Sequence, residues 1–237
     1  MTFKDDIYQI CKEVASEIEG WSFAAGSFKN KTLKHTDLIV DPGLYFRSGG
    51  CSTQPCVAVN NKRAKKLCEL VVSWDNWSLM VKFQSELEDY YLNNPQCVTN
   101  IYPEKFPAVD MYGKPGPWPS GWIVQAQAKD YLKKVLIDGI SVIKKYFVLT
   151  SEENFLNNLP TGFKQREAGY VENAFYEYQG GIMLCIAALV RGDFDFVERF
   201  ASNDFKTLVP KREVELKKIL AALPDIKRKF AETGKVI

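Results

Sequence analysis

The chain has 237 residues, 46% apolar and 25% charged, proportions that suit a sizeable buried core and exclude wholesale disorder. Lys and Arg number 31 against 29 Asp and Glu, so the net charge of +2 supplies no global field that selects nucleic acid or an anionic membrane. A single histidine, His35, excludes a His-rich metal centre and a paired-histidine acid–base system.

Residues 1–6 lack the basic-then-apolar order of a signal peptide. The longest uncharged apolar run, 182–190, is too short to span a bilayer. Both features predict a cytoplasmic protein without membrane attachment, whose six cysteines stay reduced.

Residues 5–19 read as an amphipathic helix, because Ile7, Ile10, Cys11, Val14 and Ile18 recur every three or four positions. Gly20 is its natural stop. Trp21 and Phe23 then alternate with Ser22. Leu38-Ile39-Val40, Asp41-Pro42-Gly43 and Leu44-Tyr45-Phe46 read as strand, tight turn, strand, with Ser48-Gly49-Gly50 ending the second. Cys56-Val57-Ala58-Val59 reads as a third strand. From Asn61 the pattern is helical, with Ala64, Leu67, Cys68 and Val71 as the apolar stripe. Residues 74–92 fit both periods: Leu79, Val81 and Phe83 alternate, whereas Phe83, Leu87, Tyr90 and Tyr91 suit a helix, which is preferred over most of the stretch.

Six of the eleven prolines fall in 94–121, which excludes regular helix and central strand there. Its aromatics argue that it packs on something. Helices are predicted at 122–148, from Ser151 to before Pro160, at 171–191, at 194–200 with Asp193 as N-cap, and at 213–223, ended by Pro224. Early strands and late helices predict an α+β fold: an N-terminal helix on a small, mainly antiparallel sheet, then a helical C-terminal half. The implied division is 1–93, a crossover at 94–121, and 122–237, packed as one unit.

No motif supplies familiar chemistry. His35 lies among lysines, where Asp37 two residues on would share its strand face, but a surface role is the simpler reading. Cys51 and Cys56 form C-x4-C without a second pair, short of a zinc set, and leave Cys51 as a lone reactive-thiol candidate. Cys11, Cys68 and Cys185 sit in apolar patterns, as buried cysteines do. Residues 62–66 are the densest basic cluster, read as a solvated helix face with phosphate or acidic-protein contact as the alternative. Glu172, Tyr176, Glu177, Asp193 and Asp195 make an alternative polar site in which a carboxyl buried beside tyrosine would act as an acid. Helix capping and amphipathic packing account for the same residues. No phosphate-cradling loop and no cofactor or metal motif is present.

The segment Gly20-Trp21-Ser22-Phe23 after the opening helix, and the late hairpin Ala187-Ala188-Leu189-Val190-Arg191-Gly192-Asp193-Phe194-Asp195-Phe196, carry a resemblance. In these the chain resembles small cytosolic bacterial proteins of unknown function, including immunity proteins that neutralise polymorphic toxins. The resemblance implies a cognate protein partner and no catalysis. The leading expectation is therefore a non-enzymatic protein-binding module, with Tyr112, Trp118 and Trp122 of the aromatic loop as contact residues. The alternatives are an enzyme using carboxylate, tyrosine or single-thiol chemistry, and a weak nucleic-acid binder.

Overall fold

The computed structural model describes residues 2–47, 50–53, 55–82, 123, 128–159, 174–202 and 212–237, and of 47, 50, 52, 81, 82 and 174–180 the backbone alone. The fold is α+β, as predicted, with an N-terminal helix, a five-stranded sheet and a helical C-terminal half. Contacts divide the chain into two compact units.

The first unit gathers described residues of 1–32, 37–59 and 80–145. Helix α1 (Phe3–Ser16) opens on Thr2, whose hydroxyl accepts from the Asp5 amide while the Asp5 carboxylate accepts from the Thr2 amide. That reciprocal cap satisfies two groups a helix start leaves open. The predicted stripe is buried at Ile7, Cys11 and Val14. The helix ends at Glu17, and Gly20 (φ +79°) turns the chain into β1 (Trp21–Ala24).

Strand β1 pairs antiparallel with β2 (Ser27–Asn30) across Ala25 and Gly26, both at positive φ as a type I′ turn requires. Alanine is strained there. Ala25→Asn is expected to raise stability by about 0.5–1 kcal/mol, since asparagine tolerates that region. A urea midpoint unchanged or lowered by the substitution would remove the assignment.

Strand β3 (Thr36–Asp41) follows, and its alternation buries Thr36, Leu38 and Val40. It pairs with β2 in antiparallel register Phe28↔Val40. With β4 (Leu44–Arg47), β5 (Gly50–Thr53), β6 (Cys56–Asn61) and β7 (Leu79–Lys82), the order is β1-β2-β3-β6-β7, beside a separate β4-β5 hairpin. The predicted turn at Asp41-Pro42-Gly43 exists, closed by the Gly43 amide donating to Asp41 Oδ1 at 2.8 Å. It does not make a β3–β4 hairpin. A strand has two edges, and β2 and β6 occupy both edges of β3, so β4 pairs with β5 instead.

Helix α2 (Lys62–Val72) follows β6 in the chain, and helix α3 (Ala128–Tyr146) approaches β3 at Gly139. At Gly139 a Cβ would lie 2.5 Å from Val40 Cγ1, so the missing side chain lets the helix backbone approach the strand. Tyr131 is fully buried, its hydroxyl 2.5 Å from Thr53 Oγ1. Lys129 and Lys133 reach Glu17 at 2.8 and 2.7 Å. Their hydrogen bonds, Lys129 first, hold the Glu17 carboxyl at about 2.

The second unit gathers described residues of 33–36, 60–79 and 146–237. It contains α2, α4 (Glu152–Asn157), α5 (Ala174–Arg191), α6 (Phe194–Ser202) and α7 (Glu213–Thr233). In α2 the buried residues are Ala64, Leu67, Cys68 and Val72, with Val71 half-buried. After α2 ends in left-handed Ser73, the predicted helix at 74–92 is absent over its described part. Trp77 instead lies fully buried in an irregular segment, its Nε1 donating to the Met183 carbonyl at 2.9 Å and its ring edge-on to Phe155. Residues 79–82 follow the two-residue period and form β7.

Helix α7 also departs from expectation, running through Pro224 to Thr233. Proline removes a hydrogen bond and presses on the carbonyl four residues back, about 3 kcal/mol inside a helix. Here Ile219 and Leu223 before it and Ile226 after it are all buried, and packing on both sides carries the helix past it. No described helix is long and apolar enough to cross a membrane.

Candidate functional site

The densest long-range polar cluster described in the second unit surrounds Glu152. Asn61 is the N-cap of α2, its Oδ1 accepting from the Ala64 amide at 3.0 Å. Asn and Ser suit such positions because a short side-chain acceptor reaches an amide the helix leaves open. Ser151 likewise caps α4 through the Asn154 amide, which places Glu152 in the first turn, where the helix dipole favours a carboxylate.

From there Glu152 Oε1 accepts from the His35 backbone amide at 2.6 Å. Its Oε2 accepts from the Thr36 hydroxyl at 2.5 Å and from Asn61 Nδ2 at 3.2 Å. Asn61 Nδ2 also donates to Thr36 Oγ1 at 3.0 Å, and the His35 carbonyl accepts from the Lys62 amide at 2.7 Å. Thr36 and Asn61 are almost completely buried; Glu152 is half-buried. Three donors thus converge on one carboxylate. Its acceptor positions are turned to protein groups that tie the 33–36 segment, the start of α2 and the start of α4 together. This is the geometry of a staple.

His35 enters this cluster through its backbone, and its side chain is half-buried. Asp193 is occupied twice: Oδ1 accepts from the Phe196 amide at 3.1 Å, and Oδ2 meets Arg191 Nη2 at 2.9 Å. Arg191 also donates to the Leu156 carbonyl. Asp193 is therefore the N-cap the sequence predicts, joined to the end of α5, while Asp195 is exposed in the first turn of α6. Tyr176 and Glu177 lie on the α5 backbone, with side chains outside the described set. Tyr112, Trp118, Trp122 and Glu172 lie outside the described residues altogether.

Four of the described thiols, those of Cys11, Cys51, Cys68 and Cys185, are poorly placed to act as nucleophiles. Cys51 is fully buried, and burial pushes its thiol up to about 12, as it does for Cys11 and Cys68; Cys185 is pushed up in the same way. A thiol needs a lowered value to be a thiolate near neutrality. Among the described residues no group of three or more His, Cys, Asp and Glu could hold a metal ion.

Sequence reasoning missed the Glu152 cluster because its members stand 91 to 117 residues from the glutamate. Local capping signals were present at Asn61 and Ser151; nothing in them says that the two helix starts meet. Comparison of the chain with protein-family models, with curated proteins and with solved structures returns no match in any of the three.

Proposed function

We propose that the chain is a non-enzymatic protein-binding module, in the specific form of an immunity-type inhibitor of a bacterial toxin. The observation that carries this reading is the outward placement of large aliphatic side chains on well-packed helices. Leu70 of α2 and Val214 of α7 are each 66% exposed, on the sides of their helices away from the buried stripes. Single exposed apolar residues are ordinary, but these two stand on helices packed against each other. Among the described residues, the carboxylates of Glu152 and Asp193 are engaged in structural hydrogen bonds.

The tagged full chain, crosslinked in its native host, is expected to recover one protein in stoichiometric amount. The inhibitor form adds that this protein is toxic when the chain is depleted. A chain recovered alone at every crosslinker dose defeats the binding reading, and a harmless partner defeats only the inhibitor form.

A further inference from the structure

The start of α2 carries cations where helices usually carry acids. Residues 62–72 hold four cationic side chains and one carboxylate, Glu69, and the first turn contains no acid. The positive end of the helix dipole disfavours this arrangement by about 0.3–1 kcal/mol per charge at an exposed site. Lys34 joins the same surface, its carbonyl 3.4 Å from Lys62 Nζ and its side chain exposed.

Along α2, Arg63, Lys66 and Leu70 follow the i, i+3, i+7 spacing of one helix face, so the cationic stripe runs directly into an exposed leucine. Beyond it lies the start of α7. Lys218 Nζ is 3.5 Å from the Val72 carbonyl, and the Arg212 guanidinium sits 5.3 Å from the centre of the Trp74 ring. Val214 is held out between those two anchor points in sequence.

We infer that this face of α2, the cations Arg63 and Lys66 leading into Leu70, is a docking surface for an acidic protein segment bearing aliphatic anchors. The inference rests on the protein-binding reading and names the chemistry of the partner. Charge complementarity selects an acidic occupant, and cations around an apolar contact steer it and set its register. Nucleic acid fits less well. Non-specific strands are gripped by bases stacking on open aromatic faces, and here one face of the half-buried Trp74 ring is taken by Arg212, while the exposed apolar group on the α2 face is the aliphatic Leu70.

The test titrates the full chain against three fluorescent probes: an amphipathic Glu/Leu peptide, a peptide of equal charge with serine for leucine, and a single-stranded oligonucleotide of equal charge. The Glu/Leu peptide is expected to bind most tightly, and to weaken about tenfold or more with Lys66→Glu combined with Arg63→Glu. Leu70→Ser is expected to weaken it several-fold while leaving the serine peptide unchanged. These surface variants should melt with the parent chain, which separates lost contact from lost folding. The inference is overturned if the Glu/Leu peptide does not bind, if Leu70→Ser has no effect, or if the oligonucleotide binds as tightly. If those same variants still recover a stoichiometric partner from the host, the binding reading survives and only this surface is wrong.

Discussion

Gly192→Ala is expected to cost about 2–4 kcal/mol, combining left-handed backbone strain with overpacking against an aromatic ring. Gly192 sits at φ +78°, between α5 and α6. Its amide donates to the Leu189 carbonyl and the Asp193 amide to the Ala188 carbonyl, both at 2.9 Å. That pair of bonds is the Schellman ending of a helix, which wants glycine at this residue. A Cβ would also lie 2.4 Å from Phe230 Cζ. The Phe230 ring is not at liberty to retreat without loss, because it is edge-on to Phe194 at 5.4 Å.

The two contributions separate experimentally. Phe230→Leu added to Gly192→Ala should recover the steric part and leave the backbone part, about 1 kcal/mol. Thermal melting reads this as a fall of about 2–4 °C for each kcal/mol in a chain of this size. If Gly192→Ala melts within a degree of the parent, the close approach of α7 to this turn is wrong.

Glu152→Ala is the second large effect, about 2–4 kcal/mol, because it removes the acceptor and leaves donors behind. The Thr36 hydroxyl and Asn61 Nδ2 would remain buried, each short of a partner, and the His35 amide would lose its acceptor. Glu152→Gln can keep its acceptor oxygen on Thr36 and Asn61 but then turns an amide donor toward the His35 amide, so it should recover only part of the loss. Thr36→Val combined with Glu152→Ala should cost less than the two substitutions summed, since both break one network. Hydrogen exchange gives a local readout: protection should fall at the His35 and Ala64 amides before it falls elsewhere. Full protection of His35 in Glu152→Ala would show that its amide bond to the carboxylate is not what orders the segment.

Much of the local structure was legible. The opening helix, the alternation through β3, the Asn61 start of α2 and the Asp193 cap all follow from patterns within a few residues, and backbone hydrogen bonding and side-chain periodicity are themselves local. The errors have one physical origin. At Pro224 and at the Asp41-Pro42-Gly43 turn the local preference is plain and tertiary packing decides differently, and at 74–82 two local periods compete and the burial of Trp77 with the pairing of β7 settles between them. A proline between buried residues stays helical, a tryptophan with a distant carbonyl partner holds an irregular segment, and a strand with both edges filled refuses its neighbour.

The sequence by itself determined the fold class, the amphipathic faces and the poverty of recognisable catalytic motifs, because composition and period record which side chains must leave water. Only the tertiary structure decided that Glu152, Thr36 and Asn61 meet, and that Leu70 and Val214 stay exposed on packed helices. Those outcomes depend on which buried faces find one another across long stretches of chain, and no local pattern encodes that choice.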